Sequence, residues 1–444
     1  MPTATRLTSM FLLQLGVIIV AYRLLTPLFR RLRQTQVVAV MVAGVLLGPS
    51  LFGLVAPGAQ EWLFPREIEI GGEAVPHPSA TILYVVGQLG LVLYMFVVGT
   101  ALRTDLLTRH LRTAGATALT GLAVPTLAGA GLGWLMVHHG GAALFPAGVS
   151  GWQGALFIAA AISVTAFPML AWMISEAGLR ETRLGTLALS CAAVDDAAAW
   201  ILLAVVVATT GGSAWTGATA VGLTVVFVAV MLTAGRRLLA RLGPRADAAV
   251  TAGGLPAGPL LIAVLVMLAC AWTTDAIGVH SVFGAFLAGV AMPRGAFTTA
   301  LGERLEPLVT YVLLPAFFVY SGLNTDLRLF VDPAVAWYLV LTLVVAFVAK
   351  GAAVAFSGRW QGLDWPESLS LGALMNARGM VELVLLNVGL TAGLVTPQLY
   401  AVLAVMTIVT TVVANPLQLW FNRARRATAL RRPPADRVAP RTGA

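Results

Sequence analysis

Residues 163–204 read SVTAFPMLAWMISEAGLRETRLGTLALSCAAVDDAAAWILLA. Pro168 interrupts one apolar run, and the adjacent aspartates Asp195 and Asp196 interrupt the next. A proline inside a helix removes a backbone donor, and here Ser163 and Thr165 stand just before it. An ionisable group within a membrane span is costly, on the order of 3 kcal/mol on insertion scales, and marks a functional site by default. Neighbouring residues on a helix point about 100° apart, so Asp195 and Asp196 cannot both face one partner. One can pair with a buried cation while the other faces an aqueous path. A carboxylate so placed binds either a proton or a small hard cation, and competition for one site is the simplest exchange mechanism. A capping role does not suit the pair, because a long apolar run follows it.

The cation is legible further along. Lys350 is the only lysine in the chain and sits in the middle of TLVVAFVAKGAAVAF. An ammonium can lose its proton when buried, whereas a guanidinium effectively cannot, so the choice of lysine matters chemically.

The rest of the chain fits a membrane setting. Of 444 residues 59% are hydrophobic and 11% charged, and the mean hydropathy is +0.88, which excludes a soluble domain of this length. Runs of about 20 apolar residues suffice to cross a bilayer core. Thirteen spans are predicted: 9–28, 36–53, 81–101, 113–137, 153–175, 184–210, 216–235, 256–274, 279–293, 306–323, 334–357, 367–391 and 397–421. All are expected to be helical, giving an all-α polytopic fold. The first run precedes Arg30, Arg31 and Arg33 with no small-residue cleavage site, so it reads as a retained span. Cys191 and Cys270 fall within apolar spans and offer no disulfide framework.

Arginine placement tests the count, because cytoplasmic loops collect positive charge. With the N-terminus outside and the C-terminus cytoplasmic, the inner segments hold Arg30, Arg31, Arg33, Arg103, Arg109, Arg112, Arg180, Arg183, Arg236, Arg237, Arg241, Arg245, Arg294, Arg304, Arg359 and the arginines from Arg423 to Arg441. The outer segments hold only Arg6, Arg66 and Arg328. One missed span would invert every later loop. The net charge of +9 thus belongs to a membrane protein and implies no nucleic-acid partner. The loop 54–80, with Glu61, Glu67, Glu69 and Glu73, is acidic and expected to be irregular. The basic tail 423–444 reads as a disordered segment beside anionic membrane lipid.

A second interrupted span lies seven beyond the first. In LSLGALMNARGMVELVLLNVGL the polar run Asn376, Arg378 and Gly379 breaks the apolar pattern, with Glu382 one turn later. Arg378 and Glu382, spaced i, i+4, are expected to satisfy one another. Two discontinuous helices at an odd offset predict inverted repeats with an ion site where they cross. GVLLGPS and GAFLAGV read as close helix packing through small residues. His280 reads as a helix-end residue, and His138 with His139 lacks a third ligand, so no resident metal and no cofactor are expected.

At these residues the sequence resembles the second branch of the monovalent cation:proton antiporter superfamily, with its sodium/proton antiporters, Kef-type potassium systems and plant cation/proton exchangers. The resemblance runs from VVAVMVAGVLLGPSLFG to MNARGMVELVLLNVGL, and residues 163–204 look closest to the plant exchangers. It implies that Asp196 is the main ion- and proton-binding carboxylate, that Asp195 pairs with Lys350 in the ion-free state, and that Thr165 adds an oxygen at the crossing. Ser163, Asn376, Arg378 and Glu382 are candidates for support. It implies a sodium/proton antiporter-like fold over residues 1–422, with a core (about 113–210 and 334–421) moving as an elevator against dimerisation elements (about 9–101 and 216–323) in a homodimer of the cell membrane. Sodium-type members often have a hydroxyl residue after the threonine. Here it is Ala166, which leaves potassium open beside sodium. The Asp-Asp form with lysine resembles electrogenic members.

A sodium-coupled symporter of an organic anion on a similar inverted repeat is the rival reading, but it needs a site with more polar lining. A channel filter and a P-loop are both missing from the sequence, which disfavours a channel or an ATP-driven pump.

Overall fold

The computed structural model describes residues 3–32, 34–70, 73–102, 111–179, 182–210 and 214–431. Arg33, Arg103, Arg109 and Arg180, and the tail from Arg432 onward, lie outside the described residues. Within them the chain is helical apart from one hairpin. Among the described residues nine helices are long and apolar enough, by length and composition, to cross a membrane, and shorter apolar helices lie at Gly151–Ser163, Ser281–Ala291 and Val381–Thr391.

The acidic loop departs from expectation. Residues Phe52–Val55 and Pro57–Leu63 are short helices, and Glu67–Ile70 pairs antiparallel with Glu73–Pro76, Glu67 opposite Pro76 and Ile70 opposite Glu73. The alternation Glu-Ile-Glu-Ile is a strand pattern, and a Gly-Gly pair separates the two strands in sequence. The negative charge masked that periodicity.

Both interrupted spans are broken helices. The first consists of Gly151–Ser163 and Phe167–Glu176, the second of Trp365–Leu374 and Met380–Thr391. Each is preceded by a long intact helix, Leu111–His139 or Pro333–Trp360, and followed by another, Arg183–Thr210 or Pro397–Arg431. These elements pack on one another: Leu111–His139 lies against Gly151–Ser163 and against Pro333–Trp360, which also contacts Trp365–Leu374 and Pro397–Arg431.

The remaining long helices form a second set. Helix Leu314–Leu323 packs on Gln36–Leu47 and Pro78–Ala101, and Ser281–Ala291 on Pro78–Ala101 and Ala257–Ile277. Glycines permit the approach. A Cβ on Gly44 would meet the Phe318 carbonyl oxygen at 2.6 Å and Val319 Cα at 3.0 Å, and one on Gly87 would meet Phe317 Cα at 2.8 Å. In lipid, where tails are as apolar as leucine, such backbone-to-backbone packing holds helices together.

Gly44→Ala should therefore lower stability by about 1–3 kcal/mol through overpacking. The detergent-solubilised protein should show a lower Tm. Gly16→Ala is the control, since a Cβ there meets nothing within 4 Å, and equal Tm values for the two variants would refute the packing account.

Candidate ion-binding site

The first break sets the geometry. Ser150 and Gln153 form a capping box that starts the first half-helix, which ends at Ser163. Val164 and Ala166 are extended, with ψ of 137° and 101°. Pro168 falls at the start of the second half-helix, where no N–H donor is required. The chain thus opens before the proline. A helix that stops here leaves its last carbonyls without intrahelical donors, and no lipid group can supply them.

Two buried cations from the other repeat supply those donors. Arg378 Nη1 donates to the carbonyl oxygens of Ala161 at 2.7 Å and Val164 at 3.4 Å, and its Nη2 donates to that of Ile162. Lys350 Nζ donates to the Ser163 carbonyl at 2.6 Å. The two breaks also join through backbone and hydroxyl groups: Ala166 N–H donates to the Ala377 carbonyl at 3.1 Å, and Thr165 Oγ1 donates to the Met375 carbonyl at 2.7 Å. From Pro397–Arg431, the Thr411 hydroxyl accepts from Arg378 N–H and donates to the Arg378 carbonyl, both at 2.9 Å.

Lys350 has a second partner. Its ammonium lies 2.5 Å from Asp195 Oδ2, and both side chains are fully buried. This is the pairing expected from the sequence, made between residues 155 apart in the chain. Asp196, also fully buried, is the next residue around the same helix. Asn376 lies beside the lysine helix, its Nδ2 3.1 Å from where a Cβ on Gly351 would stand, and donates to the Gly372 carbonyl at 2.9 Å.

Other candidates occupy different places from those expected. Ser163 meets Lys350 through its carbonyl, while its hydroxyl turns back to Ala160 at 3.5 Å. Arg378 and Glu382 do form the expected i, i+4 ion pair, at 3.8 Å and without a hydrogen bond between them. The guanidinium instead spends its hydrogen bonds on the other broken helix, because orphaned carbonyls in a dry interior are the stronger demand. Glu382 is buried, and among the described residues neither of its oxygens meets a donor in strict bonding geometry. His280 precedes Ser281–Ala291 and accepts the Val282 N–H, at a helix end as read. Thr411 went unremarked in the sequence, where its signal is the run Thr407, Thr410 and Thr411 in an apolar helix. Among the described residues no group of three or more His, Cys, Asp or Glu side chains could hold a metal ion.

A family model described as the transmembrane sodium/hydrogen exchanger matches residues 17–419. The chain belongs to the sodium/hydrogen exchanger family. The resemblance to monovalent cation:proton antiporters is thereby borne out. The chain is 36% identical over 420 residues to the Na(+)/H(+) antiporter NhaS4 of Synechocystis, covering 93% of this chain and 97% of that one. It is 34% identical to Cation/H(+) antiporter 17 of Arabidopsis thaliana, covering 92% and 48%, and 30% identical to K(+)/H(+) antiporter 1 of Saccharomyces cerevisiae, covering 92% and 47%. It thus spans about half the length of the plant and yeast relatives. The solved structure of the sodium proton antiporter MjNhaP1 from Methanocaldococcus jannaschii matches with a TM-score of 0.63 at 15% identity, over 96% of this chain and all of that one, so the exchanger fold is shared. The protein is a multi-pass membrane protein of this fold.

Arg378→Met should cost about 3–5 kcal/mol, since it strips carbonyls of their donor and leaves Glu382 without a nearby cation. Arg378→Lys should recover part of the loss, because an ammonium lacks the fork that reaches several carbonyls at once. Thermal unfolding in detergent tests this. A wild-type melting curve for Arg378→Met would refute the bridging role.

Proposed function

We propose that this exchanger is a secondary active transporter that trades a monovalent cation, Na+ or K+, for protons by alternating access, with Asp196 as the carboxylate that takes the ion or the proton. The single observation behind this reading is the fully buried Lys350–Asp195 pair at the crossing of two broken helices, with Asp196 adjacent. In the ion-free state Lys350 holds Asp195. Cation entry displaces protons from Asp196 and from the pair, and proton influx drives cation efflux. Thr165 stands at the crossing with its hydroxyl on a carbonyl of the second break, close enough in the chain fold to offer an oxygen when the site rearranges. Asn376 supports the lysine helix from the side.

Residues 113–210 and 334–421 are the mobile core, residues 9–101 and 216–323 the scaffold of a homodimer, and the core shifts as an elevator. The N-terminus lies outside and the basic C-terminal tail in the cytoplasm. The clustering of helix contacts within these two sets supports the division. The relatives are named for sodium, for potassium and for cations in general, and Ala166 leaves both ions open here. A symporter of an organic anion finds no support, since these relatives are named as antiporters.

Asp196→Asn should abolish cation-dependent proton flux in proteoliposomes on addition of Na+, K+ or Li+, and retained exchange would sink the assignment. Lys350→Gln should alter the pH profile of exchange or its response to a clamped potential. Each net charge moved per cycle is worth ~2.3 kcal/mol per 100 mV, so a change in electrogenicity is measurable as a shifted reversal potential. An unchanged profile would return Lys350 to a purely structural role.

A further inference from the structure

The proposed elevator movement slides one helix set past the other, so the side chains that bridge them bear on the cycle. Three buried polar residues, none of them at the ion site, do so together. Tyr400 Oη donates toward the Ser321 carbonyl at 3.0 Å and Asn387 Oδ1 at 3.1 Å, and Asn387 Nδ2 donates to Ser321 Oγ at 3.1 Å. Tyr400 and Asn387 belong to the set that contains the aspartates, and Ser321 to the other.

Each end of the bridge is fixed to its own set. Ser321 lies in Leu314–Leu323, whose approach to Gln36–Leu47 is so close that a Cβ on Gly322 would meet the Gly44 carbonyl oxygen at 2.6 Å. Tyr400 follows Thr396, whose hydroxyl donates to the Ala143 carbonyl at 2.7 Å. Asn387 shares its half-helix with Gly389, where a Cβ would meet Phe157 Cζ at 2.5 Å. The three residues cannot follow one another if the sets move apart. They stand near the loops 324–333 and 392–396, both on the outer side in the expected orientation.

We infer that Ser321, Asn387 and Tyr400 form an outer latch that stabilises the state in which the outer path to the ion site is closed, and that opening to the outside breaks it. The inference rests on the proposed alternating-access function. All three groups are neutral, and all are almost fully buried. A neutral network of this kind is worth little more than the sum of a few modest hydrogen bonds. It biases an equilibrium without locking it. Removing the Tyr400 hydroxyl raises the fraction of outward-open protein, and apparent affinity at the outer face rises with that fraction.

Wild-type exchange is measured first, because its absence defeats the proposed function and leaves the latch no cycle to act on. Tyr400→Phe keeps the ring and should lower the half-saturating cation concentration on the outer face about fivefold. An unchanged or raised value overturns the latch. In a Cys191→Ala, Cys270→Ala background, Ser321→Cys with Asn387→Cys should bind Cd2+ between the thiols. Exchange should then fall at least tenfold and recover on chelation, with neither single variant affected. Full exchange with both thiols shown to be blocked toward maleimide by Cd2+ also overturns the latch and leaves the exchange function standing.

Discussion

A helix broken inside a membrane exposes carbonyls and amide groups that no solvent can satisfy, and the rest of this structure follows from how that demand is met. The carbonyls of Ala161, Ile162, Ser163 and Val164 are met by Arg378 and Lys350, and the amide of Ala166 by the carbonyl of Ala377. Each break is repaired by groups of the other. Neither could persist alone, since an unpaired buried peptide group costs several kcal/mol in an apolar medium. Thr411 then clasps the backbone of Arg378 and ties the last long helix to the same knot.

The two cations divide the work according to their chemistry. Arg378 is held by carbonyls on several sides, and a guanidinium retains its charge under any physiological condition. Lys350 holds one carbonyl and one carboxylate, so its bonding changes whenever Asp195 takes a different partner. That difference gives a reason for one lysine in a chain whose other 27 basic residues, 28 less that one, are arginines. The ammonium touches both the carboxylate and the helix break, whereas the guanidinium spans the break alone.

Much of this was legible because charge is so rare in the apolar runs. Asp195, Asp196 and Lys350 stood out by type alone, so a pairing of one aspartate with the lysine was legible in the residues, while the choice of Asp195 came with the family resemblance. The duty of Arg378 was hidden for the opposite reason. Glu382 at i, i+4 offered a local partner, and local spacing is what a sequence displays, whereas carbonyls more than 200 residues away have no signature at all. Ser163 was noticed for its hydroxyl, yet its backbone oxygen is the group in use. The hairpin at Glu67–Ile70 was obscured because acidic composition suggests irregularity even where the period is two.

The contacts sort by strength in a way that bears on movement. The buried ion pairs among the described residues, Lys350 with Asp195 and Arg378 with Glu382, lie within one helix set. So do the hydrogen bonds that close the crossing. The hydrogen bonds described between the sets join neutral groups. Beside the Ser321–Asn387–Tyr400 network, Gln34 Nε2 donates at 2.8 Å to the Val412 carbonyl, which Pro416 leaves without its usual i+4 donor. Breaking a buried charged contact costs about 3–5 kcal/mol, and a neutral hydrogen bond about 1. With its five buried charges ionised, the crossing holds two cations, Lys350 and Arg378, against three carboxylates, Asp195, Asp196 and Glu382. Its net charge is then −1, which one bound monovalent cation neutralises. A set whose buried charges are paired internally meets its neighbour through weak neutral contacts, which are the contacts the proposed movement of the core would have to exchange.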